Sequence, residues 1–394
     1  MNDSRVKVVV MGYVVRGPLA GMAWSDLQYL ASLRAAGHDV VYTEDSDDYP
    51  SCYDPTTNET TADPAYGLTF ARDALGGVGM SDRWSYHDAH TETWLGPLAE
   101  RGASVFRDAD AVLNLAGVNP LREWALAVPA RLLVDQDPAF TQIRNLTDPA
   151  RARFTRLHTA FATFAENLGA EGCTVPDDGV PWAPTRQPVM AGSFAATPGP
   201  RNGAFTTVMQ WESYPPIDLD GRRFGMKSTS FEALAALPHH TDARLELALG
   251  APAPVRARLE EGGWATIDPR PVTRSPRAYE RYIRASKGEI GIAKHGYAVT
   301  QSGWFSERSL AYMVHGRPVV LQDTGFSRWL EVGEGVLAFS TVEEAAAGID
   351  AVSSDYERHC AAAREVAAEC FEGTRVVTEL LDHALAATPA VRDA

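Results

Sequence analysis

Residues 5–11, Arg-Val-Lys-Val-Val-Val-Met, form a near-continuous apolar run. Such a run reads as a parallel strand covered on both faces. A glycine-bearing loop, residues 16–21, follows it. From Ser25 to Ala36 the spacing becomes helical, with Leu27, Leu30, Ala31 and Leu33 on one face and Gly37 as the stop. Val40–Tyr42 is a second strand. This is a strand–helix–strand unit of the doubly wound kind. Residues 43–66 are polar and rich in Asp, Thr, Pro and Tyr, and read as a long surface loop. Ala109–Gly117 and Ala130–Asp135 are further strands. The second runs into Asp135-Gln136-Asp137-Pro138, and polar residues just past a strand's C-terminal end are where open parallel sheets place ligands.

Periodicity fails over residues 174–203, where proline and glycine accumulate, and the inter-domain linker is expected there. The alternation then resumes. Strands are expected at Phe205–Met209, Leu245–Leu249, Trp264–Ile267, Glu289–Ala293 and Arg317–Leu321. Helices are expected at Ser230–Leu237, Val255–Glu261, Ser275–Ser286 and Ser306–His315, the last stopped by Gly316. Two helices, about 354–370 and 374–387, finish the chain. The fold class is α/β, with two Rossmann-like domains at 1–185 and 204–370 and a cleft between them.

The length of 394 residues agrees with two domains. Charge narrows the partners. Thirty-six basic residues against 51 acidic ones give −15, which argues against a nucleic acid as the main ligand. No run reaches the ~20 apolar residues of a membrane-spanning helix. The four cysteines form no C-x-x-C pair, so a reduced, cytoplasmic protein without a structural metal is expected. His87 and His90 lie in an aromatic stretch, 84–90, whose spacing suits one helical face. Two histidines without a third ligand are weak evidence for metal. Lysine occurs only at Lys7, Lys227, Lys287 and Lys294.

The most informative stretch runs from Lys294 to Gly325. It holds a small-residue turn at Ser302-Gly303, and a helix begins at Ser306. A small-residue turn lets backbone approach a ligand, and a helix start presents unpaired N–H groups to an anion. Lys294 or Arg308 adds full charge, so a diphosphate fits. The same residues also describe an ordinary capped helix, with Ser306 as N-cap and Glu307 in the first turn.

Helix 307–315, the run Gly316-Arg317-Pro318-Val319-Val320 and the turn Asp323-Thr324-Gly325 together resemble the C-terminal domain of GT-B-fold glycosyltransferases. The first strand, its glycine loop and the helix ending Ala35-Ala36-Gly37 resemble the start of that fold. The resemblance implies transfer of a sugar from a nucleotide diphosphate (UDP or dTDP) to an acceptor bound by the first domain. It implies a C-terminal helix within 371–394 that crosses back to the first domain, no cofactor and no metal. Lys227, Lys294, Ser302, Gly303, Ser306, Arg308 and Ser309 become candidates for the diphosphate, with Gly17 facing it across the cleft. Glu307, Gln322 and Asp323 are candidates for the sugar hydroxyls. Two features depart from the family. Gly303 and Ala311 stand where many retaining members carry glutamates, and the loop after the first strand holds no histidine.

A base is therefore sought elsewhere. Asp135 and Asp137 are the first candidates, although Asp-x-Asp-Pro is also turn chemistry. His158 and Glu166 lie in a phenylalanine-rich segment and complete the set. The aromatic, acidic acceptor half points to a small-molecule, peptide or carrier-bound acceptor, of the kind met in natural product biosynthesis. The alternatives are a nucleotide-sugar 2-epimerase of the same architecture and a catalytically silent partner subunit. The loop at Gly17 does not match the dinucleotide fingerprint, which argues against an NAD enzyme.

Overall fold

Two parallel sheets organise the chain. The structure, a computed structural model, describes residues 5–388; residues 1–4 of the expected first domain and 389–394 of the expected C-terminal segment lie outside it. The strands of the first sheet are β1 (Lys7–Met11), β2 (Asp39–Asp45), β3 (Trp84–Asp88), β4 (Thr93–Leu95), β5 (Ala111–Leu115), β6 (Ala130–Asp135), β7 (Ala160–Thr163) and β8 (Ala183–Pro184). Their spatial order is β8-β7-β6-β5-β1-β2-β3-β4. Only the edge strand β4 runs antiparallel, against β3. The second sheet holds β9 (Phe205–Gln210), β10 (Leu245–Gly250), β11 (Ala265–Ile267), β12 (Gly288–Gly291), β13 (Val319–Gln322) and β14 (Val336–Phe339), in the order β11-β10-β9-β12-β13-β14. Both orders reverse at a switch point, between β1 and β5 in the first sheet and between β9 and β12 in the second. Open α/β sheets bind ligands at that crevice.

The strands are central because both faces are covered: Val8 to Met11 are all buried, as are all of β5 and β12. The two halves also share a core. One apolar cluster joins Leu27 and Leu30 of the helix Ala20–Ala35 to Tyr279 and Ile283 of the helix Pro276–Ala285 and to Leu310 and Val314 of the helix Glu307–Val314. The last helix, Gly373–Ala386, packs on the helix Ala20–Ala35 and against β5, β6 and β7 of the first sheet.

Several local expectations change. Residues 43–66 are not one surface loop. β2 runs on to Asp45, residues 52–54 and 59–61 form a hairpin, and Ser46, Ser51 and Cys52 are buried. His87 belongs to strand β3 and not to a helix, so His87 and His90 share no helical face. The 174–203 segment is not all linker, because Ala183–Pro184 adds a strand beside β7. The helices Ala65–Gly77, Phe140–Thr147 and Val342–Ser354 and the strand β14 also went unread from the sequence.

Asn167 ties the halves at their seam. Its Nδ2 donates to the carbonyls of Gln301 (3.1 Å) and Gly325 (2.8 Å), and its backbone N–H donates to that of Ser302 (3.0 Å). Gly303 (φ +80°) and Gly325 (φ +92°) make room for it. A Cβ on Gly303 would lie 2.8 Å from Asn167. Replacing Gly303 by Ala therefore combines left-handed strain with a clash, and costs about 1–3 kcal/mol or more. Urea denaturation of Gly303→Ala is expected to show that loss; an unchanged midpoint overturns this account of the seam.

Candidate functional site

The second switch point gathers most of the predicted donor residues. The helix Glu307–Val314 begins beside the C-terminal ends of β9 and β12. Ser306 caps it, its Oγ accepting from the Arg308 N–H at 3.3 Å. Arg308 donates from Nε to the carboxylate of fully buried Glu289 and from Nη1 to the Val208 carbonyl at 3.2 Å. Its charge is balanced by Glu289. A small cavity beside it is lined by Ile292, Ala293, Trp304, Ser306, Ser309 and Gln322, among others. The Ser309 hydroxyl is buried there with no hydrogen-bond partner. Gln322 Oε1 accepts from the Ala293 N–H at 3.2 Å.

Lys227 opens the short helix Lys227–Phe231 and is half-buried. It forms no ion pair among the described residues. Burial pushes its ammonium down to about 7, and repulsion by Arg308 and Lys294 adds to this. A lysine in this state is stabilised by any anion that reaches it. Glu307 is half-buried beside it and likewise has no ionic partner among the described residues.

Lys294 faces the other way. Its Nζ bonds Asp137 Oδ1 at 2.7 Å and the Tyr214 hydroxyl at 3.0 Å. Asp137 also accepts from the Tyr214 hydroxyl (2.6 Å), from the Tyr297 hydroxyl and from Arg144 Nη1 (3.3 Å). Burial raises the Asp137 carboxyl, but Lys294 and Arg144 outweigh it and hold it below the usual range. Phe140 supports the pair, edge-on to Tyr214 (5.3 Å) and Tyr297 (5.7 Å). Gly296 has to be glycine, since a Cβ would lie 2.5 Å from the Phe140 ring. A residue read as a base and one read as a phosphate ligand thus meet across the cleft.

Other predicted residues serve the scaffold. Asp135 accepts from four donors: the Asp137 N–H, Thr141 Oγ1, Gln142 Nε2 and Thr163 Oγ1. Its carboxylate therefore has no lone pair free for an acceptor proton. His158 is buried, its ring nitrogens 3.0 Å from the Thr155 carbonyl and 3.1 Å from Asn114 Nδ2, and burial lowers its pKa to about 4. Glu166 is ion-paired with Arg186. Asp323 closes its own turn, accepting from the Gly325 N–H (2.8 Å) and the Ser327 hydroxyl. Ser302 and Gly303 form the Asn167 seam.

Gly17 lies in a loop whose donors are taken. Glu44 accepts from the N–H groups of Val14 (2.8 Å), Val15 (2.7 Å) and Arg16 (2.7 Å), and Asp26 accepts from that of Tyr13 (2.8 Å). Successive N–H groups of this kind make an anion cradle, and here a side chain fills it. Sequence reasoning missed Glu44, Arg144, Tyr214, Tyr297 and Asn167. Only Glu44 carried a signal, as a charged residue at the end of an apolar strand.

No protein-family model matches the chain, and no curated protein matches its sequence. Solved structures do. An alpha-glucosyltransferase in complex with UDP and a 13-mer DNA is 11% identical, with TM-score 0.56, over 96% of this chain and 99% of that one. Alr3699/HepE of Anabaena, solved with UDP-glucose, is 13% identical, with TM-score 0.56, over 96% and 99%. AviGT4, a glycosyltransferase involved in Avilamycin A biosynthesis, is 13% identical, with TM-score 0.51, over 97% and 98%. The first of these corrects the partner expectation. A protein of this architecture is solved with DNA bound, so a net charge of −15 does not exclude nucleic acid, and the set of small-molecule, peptide or carrier-bound acceptors drawn from it does not stand. The field within a cleft, not the total charge, decides the partner. Among the described residues no helix is long and apolar enough to cross a membrane.

The Lys227 ammonium gives a pH signature. The unfolded chain keeps this proton up to about 10.5, while the folded one keeps it only below about 7. Between those values the unfolded state binds more protons, so stability rises with pH. Lys227→Met is expected to be more stable than the wild type at pH 6, with the advantage shrinking toward pH 10. Denaturant titrations at both ends check this; a pH-independent difference refutes it. The fold on which these residues converge, with matches along nearly the whole chain, is the GT-B fold.

Proposed function

We propose that the protein is a glycosyltransferase that takes its sugar from a nucleotide diphosphate sugar. The observation that carries this is Lys227, without an ion pair among the described residues, beside Arg308 and the start of the 307–314 helix, at the switch point of the second domain. The donor diphosphate lies there, held by Lys227, Ser306, Ser309 and the helix N–H groups. Its sugar faces Glu307 and Gln322. Structures of this fold solved with UDP and UDP-glucose support UDP as the nucleotide. They are described as glycosyltransferases, which favours transfer over 2-epimerisation. AviGT4 supports a role in natural product biosynthesis. The charge on the leaving group is met by protein cations, without a metal or a further cofactor.

The acceptor enters at the first domain's switch point, next to Asp137. In the free protein Lys294 occupies the Asp137 carboxylate. A bound diphosphate competes for Lys294 and releases Asp137 as the base. The acceptor hydroxyl then gives its proton to Asp137 and its oxygen bonds the anomeric carbon. The bond from that carbon to the diphosphate breaks, and the nucleotide diphosphate leaves with the electron pair.

Calorimetric titration with UDP, dTDP and GDP tests the donor site. Lys227→Met is expected to weaken the preferred nucleotide at least tenfold, about 1.4 kcal/mol. If no nucleotide binds more tightly than millimolar, the proposal fails. Asp137→Asn is expected to bind that nucleotide no more weakly than the wild type, while losing about 100-fold or more in transfer. Weaker nucleotide binding with full transfer would remove Asp137 from this role.

A further inference from the structure

The first domain has its own cavity, and the proposed reaction specifies only that an acceptor hydroxyl reaches Asp137. This cavity, of about 220 Å3, lies past the C-terminal ends of β1, β5 and β6, at the switch point of the first sheet. Arg16, Arg144 and Arg151 line it, with Tyr13 and Tyr49.

Its lining is rich in donors and poor in acceptors. Arg16 is 1% exposed. It uses Nε toward Glu44 and Nη2 toward Val118 and Asn119, which leaves Nη1 without a partner among the described residues. Arg144 gives Nη1 to Asp137, and its guanidinium carbon sits over the Tyr214 ring, 4.4 Å from its centre. Arg151 is exposed and its guanidinium has no counter-ion among the described residues. Gly117 and Val118 also line the cavity, and their N–H groups find no acceptor among the described residues. The only carboxylate in the lining is Asp135, whose lone pairs are already taken by four donors.

Glu44 balances Arg16, while Arg144 shares the one Asp137 carboxylate with Lys294. One full guanidinium charge and several unused N–H groups remain. They approach from the 149–155 helix, the 140–147 helix, the loop after β1 and the turn after β5. A carboxylate offers two oxygens in one plane, whereas a phosphate offers three in a tetrahedron. Guanidinium forks and backbone N–H groups arriving from separate directions suit the second shape.

We infer that the acceptor carries a phosphate group, held in this cavity by Arg16, Arg144 and Arg151. The inference rests on the transferase reading above and deepens it. The phosphate anchors the acceptor while its hydroxyl lies near Asp137, which Arg144 contacts directly. It also accounts for arginines lining a cavity of a chain whose overall charge is −15.

The test uses the full chain saturated with UDP, so that the donor site cannot take the probe. Glycerol 3-phosphate, glycerol and a short single-stranded DNA are titrated by calorimetry into wild type, Arg151→Ala and Arg144→Gln. Glycerol 3-phosphate is expected to bind and glycerol not, with at least a tenfold loss in each variant while UDP affinity is kept in Arg151→Ala. That result upholds the phosphate site. Arginine-dependent binding of the DNA instead assigns it to a nucleic acid and equally upholds the phosphate site. Absence of both, or binding indifferent to both substitutions, overturns the inference and leaves the donor reading intact. Failure of UDP, dTDP and GDP alike to bind overturns the transferase reading.

Discussion

The ion pair between Asp137 and Lys294 is the contact on which the closed arrangement depends. Asp137 follows a strand of the first domain, and Lys294 follows a strand of the second. Neither charge is fully solvated, so each needs the other unless a ligand intervenes. Tyr214 and Tyr297 supply hydroxyls to the same carboxylate, and Phe140 fills the space behind. The cleft is shut by a contact whose components are those a substrate would address. A closure built this way is specific and exchangeable at once, since an arriving anion replaces one partner without leaving a bare buried charge.

Around that pair the two domains divide their labour by how each treats its switch point. In the second, Arg308 is matched by Glu289, whereas Lys227 has no ionic partner among the described residues. In the first, Asp135 is saturated by four donors and holds the 140–147 helix in place, which in turn positions Arg144 against Asp137. The helices 20–35, 276–285 and 307–314 form an apolar seam between the halves. The ion pair at the cleft then sets closure at the site itself, on top of this apolar join.

Much of the fold was legible because parallel strands covered on both faces leave unbroken apolar runs, as at Val8–Met11 and Val319–Leu321. Ser306 and Gly316 were legible through cap and stop chemistry. The 342–354 helix was readable in principle, since Thr341 and Glu344 form a reciprocal capping box. Its alanine-rich face hid it. The hairpin at 52–61 was obscured by its polar residues, because its burial is local and its pairing is only three residues long. The site was legible in parts. Lys227, Lys294 and Asp137 stood out by type and position. Their mutual arrangement did not, since Asp137 and Lys294 are 157 positions apart. No local pattern records such a meeting. Asp135 and Asp137 looked equivalent in sequence; each accepts from four donors, but those of Asp135 all belong to its own domain, whereas Lys294, Tyr214 and Tyr297 reach Asp137 from the second.

Glu44 carries a consequence of its own. Its carboxylate occupies the N–H groups of Val14, Val15 and Arg16, where a Rossmann-like half would otherwise grip a phosphate. The chain has two halves of like topology, yet one is plugged from within by a covalently tethered stand-in. On the proposed transferase reading, one nucleotide per chain is then the expected occupancy. Twofold likeness of architecture does not become twofold occupancy, and the asymmetry between donor half and acceptor half is written in a single buried side chain.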